Sequence, residues 1–344
     1  MKTTTISLEK QSGVTLVELM IGLALGLLLL FGVGLLFTQN KQSYLQNEQL
    51  ARLQEEARFA LDELSKDLSM AGFIAELSDT WAVQTDPYDS MLGDTVSCRI
   101  AGFPGRNWLY DFSENLIHSS LVAGNNLTGG QASTLFSCID PAGFIEGTDV
   151  VGIKRTSGSP SGWGNMLDPV ARPDRAAPGN RIYFRESGGV ARLLNDAERA
   201  ADAATAPFQD WEFVPSVYYV RDNGGVPSLC RVRLDRAGGA PPARFEECIA
   251  QGVEDMQLSY GIDRNEDGSA NEYVSNPTAQ DLSRLVSVRI QLLMRTINPD
   301  VGYRDERTYS VGDKPDYTPG DRFHRRVYAA TVLVRNVGSL RPFE

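Results

Sequence analysis

The stretch GVTLVELMIGLALGLLLLFGVGLLF, residues 13–37, decides how this chain is built. From Leu19 to Phe37 it contains no charged and no strongly polar side chain. A helix of that length spans about 28 Å, close to the thickness of the hydrocarbon core of a bilayer. The helix would be apolar on every side, which disfavours a place in the core of a soluble protein at the N-terminus. We therefore predict a membrane-spanning helix.

The apolar run lacks the features of a secretory signal that is cut off at its outer end. Such a signal has a shorter apolar core followed by a small-x-small cleavage site, whereas TQNK, residues 38–41, follows the run here. A lipoprotein would need a cysteine just after the core, and the first cysteine is Cys98. Lys2 and Lys10 precede the run, so the N-terminus is expected in the cytoplasm and the rest of the chain outside. We expect the segment to be retained as an anchor.

One acid, Glu18, stands at the head of this apolar run. An acid at the centre of a membrane helix costs about 2.5–3.5 kcal/mol on insertion scales, and less near the edge. In the first turn of a helix it regains about 0.3–1 kcal/mol from the helix dipole. Taken alone, Glu18 would be an interfacial residue without a special role.

Beyond the anchor the pattern becomes that of an amphipathic helix. Apolar residues recur at three- and four-residue spacing, and acidic and amide side chains take the other positions. No proline occurs before Pro87, and Gly72 is a natural C-terminal stop. We predict one helix from Val14 to Ala71, whose second half packs on a folded head. The apolar positions are Leu50, Leu53, Ala57, Leu61, Leu64 and Leu68.

From Phe73 onward β patterns dominate the sequence. In LVSVRIQLLMRT, residues 285–296, apolar and polar side chains alternate, which is typical of an antiparallel sheet with one face in water. The predicted fold class is α+β, with a long N-terminal helix packed on an antiparallel β-sheet head. The predicted strands are 148–156, 180–187, 216–222, 229–235, 254–262, 285–296 and 327–336, and the predicted loops are 157–180 and 237–243.

The composition disfavours two classes of function. The net charge of −11 argues against a nucleic-acid partner, because phosphate binding needs clustered Lys and Arg. The chain has no G-x-S-x-G, H-E-x-x-H or P-loop motif, and its two histidines lie far apart. We therefore predict that the protein is not an enzyme.

The four cysteines favour disulfides over a zinc site. None belongs to a C-x-x-C pair, and an even number in an exported domain favours pairing. Three connectivities exist for four cysteines, and buried thiols are the alternative. Sequence proximity favours Cys98 with Cys138 and Cys230 with Cys248.

The segment GIDRNEDGSANEY, residues 261–273, resembles the first half of a calcium-binding loop, D-x-N-x-D-G. The match fails at the twelfth position, which is Val274 instead of the expected glutamate, and the flanking segments look like strands. The alternative is a polar hairpin turn, for which Asn, Asp and Gly are the usual residues. The predicted calcium ligands are Asp263, Asn265, Asp267, Ser269 and Glu272.

The N-terminal segment SGVTLVELMIGLALG, residues 12–26, resembles the class III signal of type IV pilins. The resemblance implies that a prepilin peptidase cuts between Gly13 and Val14, that Val14 is then methylated, and that Glu18 becomes the fifth residue of the mature chain. Glu18 would set the register between subunits by pairing with a neighbour's new amine. One departure is Val14, because that position is usually Phe in the family.

The C-terminal part resembles the PilW family of minor pilins. The resemblance is carried by GVEDMQLSYGID, LVSVRIQLLMRT and DRFHRRVYAATVLVRN, which begin at residues 252, 285 and 321. It implies a minor pilin that primes assembly of a type IV pilus, or fimbrium, and stays near its tip. Such a pilus would serve twitching motility. The implied partners are other minor pilins, the major pilin, the prepilin peptidase, the inner membrane and a large tip adhesin. The head would lie in the periplasm and then at the cell surface.

The expected organisation has four parts: a leader at 1–13, a transmembrane helix at 14–38, an amphipathic helix at 39–72 and a β-rich head at 73–344. The nearest alternative is a pseudopilin of type II secretion, of the J-type or the K-type. The K-type characteristically lacks the glutamate, so Glu18 argues against it. A membrane-tethered periplasmic binding protein or enzyme is the alternative from another class.

Overall fold

A computed structural model of the chain divides into two compact units, Met1–Ala51 and Arg52–Glu344. The described part of the first unit consists mainly of the N-terminal part of a long helix, and the second unit is the head with the rest of that helix. The structure describes residues 13–75, 83–84, 98–100, 108–109, 120–160, 162–165, 168–173, 182–187, 190–195, 208–235 and 243–337.

The long helix α1 runs from Leu16 to Ser69 without interruption. It begins two residues later and ends two residues earlier than the predicted span. In the head its buried positions lie three or four residues apart, as the apolar stripe predicts, although Leu61 is only partly buried and Leu50 is 38% exposed. Gly72 follows with a positive φ of 77°, in agreement with its predicted role as the stop. The buried apolar positions are Leu53, Ala57, Ala60, Leu64 and Leu68, and Ala71 is buried just beyond the end of the helix.

The first sheet of the head has ten strands, and all its pairs are antiparallel except the two-residue pair of β1 with β7. Its order is β1-β7-β6-β8-β3-β2; β9 and β10 extend it from β8, and so do β4 and β5. Its strands are β1 Val83–Gln84, β2 Leu121–Leu127, β3 Thr148–Thr156, β4 Gly162–Asn165, β5 Asp168–Pro173, β6 Ile182–Ser187, β7 Val190–Asn195, β8 Phe208–Asn223, β9 Val226–Asp235 and β10 Ala243–Gln251. A short helix α2, Gly129–Leu135, follows β2.

The second sheet has four antiparallel strands in the order β12-β11-β13-β14. A single turn of helix, α3, Ala279–Leu282, leads into β13. The strands are β11 Val253–Ile262, β12 Glu272–Val274, β13 Leu285–Arg295 and β14 Arg325–Leu333.

The α+β fold class is confirmed, and every predicted strand is present. The loop predicted at 157–180 was wrong in part, because it contains β4 and β5. Of the loop predicted at 237–243, only Ala243 lies within the described residues, and it begins β10.

One face of α1 and both sheets share a hydrophobic core. Leu64 and Leu68 of the helix join Val151 and Tyr218 of the first sheet and Ile290 of the second. A second cluster, which includes Phe136, Phe184 and Val217, lies on the other side of the first sheet. The head is therefore held together by the helix rather than by contact between the sheets alone.

A polar contact also links the two sheets. Asp149 of β3 is buried, and its carboxylate accepts hydrogen bonds from the backbone N–H groups of Asn126, at 2.9 Å, and of Leu258 in β11, at 2.7 Å. Burial raises the pKa of Asp149 to about 7, although both backbone hydrogen bonds act to lower it. A carboxyl that resists ionisation thus sits where the sheets meet.

Both predicted disulfides are present, with the pairing that sequence proximity favours. Cys98 pairs with Cys138, which lies just after α2. Cys230 of β9 pairs with Cys248 of β10, and the two residues lie directly opposite each other in the strand register. Both disulfides close a covalent loop, with sequence separations of 40 and 18 residues, and the second also joins two strands that are already hydrogen-bonded.

Candidate assembly motif

The N-terminus of α1 is capped by a reciprocal pair of hydrogen bonds between Thr15 and Glu18. The Glu18 N–H donates to Thr15 Oγ1 at 3.3 Å, and the Thr15 N–H donates to Glu18 Oε2 at 3.1 Å. The Thr15 hydroxyl also donates to Oε2, at 3.0 Å. This is a capping box, which satisfies backbone donors that a helix start leaves open. The spacing T-x-x-E in the sequence is the signal that would have revealed it.

The capping box uses only half of the Glu18 carboxylate. Its second oxygen, Oε1, makes no hydrogen bond to any residue that the structure describes. Thr15 therefore holds the acid in one orientation at the head of the helix and leaves an acceptor open to another partner.

Gly13 and Val14 precede the cap. A Cβ added at Gly13 would meet nothing within 4 Å. A side chain at Gly13 is thus compatible with the local structure, and any requirement for glycine there comes from something that approaches the backbone.

The first turns of α1 expose apolar side chains on all sides. Val17, Leu29 and Phe31 are each more than half exposed, as are most of their apolar neighbours. By length and composition α1 is the one helix among the described residues that could cross a membrane. An isolated helix with this surface needs an apolar solvent or other helices around it.

Three acids at polar positions of the amphipathic pattern dock the part of α1 that lies in the head. Glu56 accepts the backbone N–H of Gln251 at 2.9 Å, and Glu63 pairs with Arg231 at 3.0 Å. Asp67 is buried and has three donors: Arg155 Nε at 2.8 Å, Arg155 Nη2 at 2.6 Å and the Tyr218 hydroxyl at 2.6 Å. Spacings of seven and four residues place these acids along one side of the helix, beside the apolar stripe.

A buried arginine, Arg325, organises the start of the last strand. It binds the carboxylates of Glu254 and Asp321 with two hydrogen bonds each. Its hydrogen bonds hold the pKa of Asp321 below the ordinary value. The arginine-rich lead into the last strand is therefore part of the scaffold of the second sheet.

The candidate calcium loop is a hairpin turn between β11 and β12. Asp263 accepts backbone N–H groups from Glu266, at 2.6 Å, and Gly268, at 2.8 Å. Glu272 pairs with Arg264 at 3.0 Å. Asp267 accepts from Asn265 Nδ2 at 3.0 Å and from the Ser269 N–H at 2.8 Å.

These five residues thus take part in hydrogen bonds or ion pairs within the loop. The described residues contain no group of three or more His, Cys, Asp or Glu side chains placed to hold a metal ion. Calcium binding at this loop stays a prediction.

Two family models match the parts of the chain that form the N-terminus of α1 and the second sheet. Residues 9–34 match the prokaryotic N-terminal methylation motif, so the chain has the N-terminus of a prepilin-like protein. Residues 217–336, which include the whole second sheet, match the family described as type IV pilus-assembly protein W. The chain is therefore similar to type IV pilins at its N-terminus and to the PilW family over residues 217–336. No curated protein and no solved structure gives a match.

The two matches support a minor pilin of a type IV pilus. They imply pilin partners and processing by a prepilin peptidase, and the apolar helix fits anchoring in the inner membrane with association to the pilus. The family is a structural component of the pilus, which favours a non-enzymatic role.

Proposed function

We propose that this minor pilin primes pilus assembly in a complex with other minor pilins and stays at or near the tip. A prepilin peptidase would cut between Gly13 and Val14, and Val14 would be methylated. The observation that carries the proposal is the arrangement at the head of α1, where a capped acid stands in front of a helix with an apolar surface. The head would lie in the periplasm and then at the cell surface, where it would contact the major pilin and a large tip adhesin.

Cleavage gives Glu18 a partner. The new amine of Val14 is positive, and in an assembly every neighbouring subunit carries one. An unpaired carboxylate in lipid is costly, and removing one member of a desolvated pair costs more than the pair contributes. Glu18 Oε1 would accept from a neighbour's amine while Oε2 keeps the cap, so the contact fixes the axial position of one helix against the next.

Mass spectrometry of the mature N-terminus tests the processing step. We expect a chain that begins with methylated Val14 in wild type and an uncut chain in the Gly13→Val variant, because a branched side chain blocks approach to the peptide bond. A Cβ added at position 13 meets no atom within 4 Å, so a clash at that carbon does not explain a loss of cutting. Normal processing of Gly13→Val, in cells that still make pili and twitch, would contradict the proposal.

Two variants separate the charge of Glu18 from its cap. Glu18→Gln keeps a capping side chain but removes the charge, and Thr15→Val removes the cap but keeps the charge. We expect Glu18→Gln to be cut normally and to be lost from the fibre, whereas Thr15→Val is still incorporated. Equal loss in both variants would mean that the helix cap, not the charge, matters for assembly.

The phenotype of a deletion separates a pilus subunit from a pseudopilin. We expect loss of pili and of twitching with unchanged protein secretion. Loss of secretion with normal pili would instead favour the type II secretion system.

Calorimetric titration of calcium into the full chain in detergent tests the 263–272 loop. Asp267→Ala is the informative variant, because Asp263 closes the turn through backbone hydrogen bonds and its removal would unfold the loop in any case. Calcium binding predicts heat that Asp267→Ala abolishes. Absence of heat in wild type would end the calcium prediction.

A further inference from the structure

The last strand, β14, is the outer strand of the second sheet. It pairs with β13 over nine residues in unbroken register, from Arg325 opposite Arg295 to Leu333 opposite Ser287. On its other side no described strand pairs with it. The backbone groups that point away from β13 are therefore available, within the described part of the chain, to another strand.

The register shows which groups these are. The Val334 N–H donates to Val286 O at 2.9 Å, so the even-numbered residues of β14 bond to β13. The backbone N–H and C=O groups of the odd-numbered residues therefore point away from β13. The carbonyl of the first of them, Arg325, already accepts hydrogen bonds from Arg307 and from the Tyr309 hydroxyl, each at 3.4 Å. The outward row that remains comprises Val327, Ala329, Thr331 and Leu333.

Every other outer strand among those described carries a feature that discourages pairing with a second chain. β1 and β12 are two and three residues long. β2 and β10 have a register shift, and β10 also carries three charged residues. β5 contains two prolines. β14 is nine residues long, has no proline and pairs in unbroken register; its two charges, Arg325 and Arg326, stand at its start, and Val327–Leu333 contains no charge, proline or glycine, with Leu333 59% exposed. Such an edge is normally covered.

The charges at the ends of β14 disfavour a second copy of this chain as the cover. Arg326 and Arg335 flank the uncharged stretch, are exposed, and form no ion pair with a described residue. Antiparallel pairing of two β14 strands through their odd-numbered residues, centred on Ala330, would set Arg325 of each copy opposite Arg335 of the other, and parallel pairing would set each arginine within one residue of its own counterpart. Like charges placed opposite each other destabilise a strand pair. A strand with an uncharged centre and acidic ends fits instead.

We propose that β14 is completed by an extended strand, uncharged in its centre and acidic at its ends, from a different subunit of the pilus. The added strand would bond to the outward groups of Val327, Ala329, Thr331 and Leu333 and place its acids against Arg326 and Arg335. The proposal rests on the proposed function, since it takes the partner from the same fibre. The N-terminal motif is shared by pilin-like subunits, so helix contacts alone do not distinguish one subunit from another. A strand contact between heads would let this protein select one particular neighbour.

A proline substitution tests the backbone contact. Ala329→Pro removes an outward N–H but no hydrogen bond to β13, a position that an edge strand tolerates. Ala329→Ser is the matched control, because it keeps the N–H. We expect Ala329→Pro to keep the unfolding temperature of the control in detergent and to fall about tenfold or more in the sheared fibre fraction. Equal incorporation of the two variants would overturn the proposal.

Cross-linking in cells identifies the partner. A photo-crosslinking phenylalanine analogue replaces Thr331, and the cross-linked peptide is sequenced. A cross-link to an extended segment of another pilus subunit, with an uncharged centre and acidic ends, supports the proposal. A cross-link to a second copy of this chain, to a protein outside the fibre or to nothing overturns it.

Methylation of Val14 is read in the same samples. If Val14 is methylated and the cross-link is missing, the strand proposal fails and the proposed function stands. If Val14 is unmodified, the proposed processing by a prepilin peptidase is wrong, and the strand proposal then depends on the cross-link alone.

Discussion

At the scale of single residues, the acids of α1 divide into those that dock the helix and those that only face water. Asp67 has three donors inside the head, whereas Asp62, on the same helix, is exposed. A sequence shows that both are helical acids, but not which one meets a buried arginine 88 residues later.

Asp67→Asn should therefore destabilise the head strongly. It removes the charge opposite Arg155, which stays buried, and the cost of breaking a buried pair is about 3–5 kcal/mol. Asp62→Asn is the control and should change stability by less than about 0.5 kcal/mol. Chemical unfolding of both variants measures the difference, and a similar midpoint for the two would show that the Asp67 contacts are not stabilising.

Asp149 should make stability depend on pH. Its pKa is about 7 in the folded protein and near 3.8 when unfolded, so folding favours the protonated form. The contribution is complete below about pH 4 and is lost as pH rises to 7, by up to about 4 kcal/mol. Asp321, whose pKa is lowered, contributes in the opposite direction at lower pH, outside this window.

The Asp149→Asn variant isolates this effect, because an amide does not ionise. We expect the unfolding free energy of wild type to fall between pH 4 and 7 more steeply than that of the variant. Parallel pH profiles would mean that Asp149 is ionised throughout, held by its two backbone hydrogen bonds.

At the scale of elements, the long helix and the strands with strict alternation were predictable. The apolar stripe from Leu53 to Ala71 and the pattern of 285–296 each repeat over enough residues to define a period. The strands β1, β2, β4, β5, β7, β10 and β12 were not predicted. LVAGNNL in β2 contains glycine and two asparagines, and only its pairing with β3 makes it a strand.

The glycines of the anchor should weaken α1 locally. A Cβ at Gly32 or Gly34 would meet nothing within 4 Å, so alanine adds helix propensity without a clash. The double variant Gly32→Ala, Gly34→Ala should stabilise the helix by about 1–2 kcal/mol. It should also slow amide exchange around these positions about 5–30-fold in detergent micelles. Ala24→Gly is the reverse control and should speed exchange near its own position; unchanged exchange in the double variant would show that these glycines are no soft point.

At the scale of the whole head, the shared core predicts one cooperative unit. Leu64 and Leu68 contact residues of both sheets, so neither sheet keeps its core if the other opens. The sequence could not predict this, because the contacts join residues from 53 to 337 and periodicity reports only neighbours along the chain.

The position of the tryptophans allows a direct test of this cooperativity. The four tryptophans stand at positions 81, 108, 163 and 211, so none belongs to the second sheet, which begins at Val253. Tryptophan fluorescence therefore does not report on the second sheet directly. We expect fluorescence and the hydrogen exchange of β11 and β13 to give the same midpoint in denaturant. Two separate midpoints would mean that the sheets unfold independently.

The three docking acids have a mechanical consequence. Glu56, Glu63 and Asp67 lie along one line of a helix that continues unbroken from Leu16 to Ser69. Tension along the axis of that helix would slide it past its partners and load all three contacts in shear, at the same moment. Bonds loaded together share the load, whereas bonds peeled from one end break in turn. The head is thus fastened to its helix in the geometry that best resists a lengthwise pull.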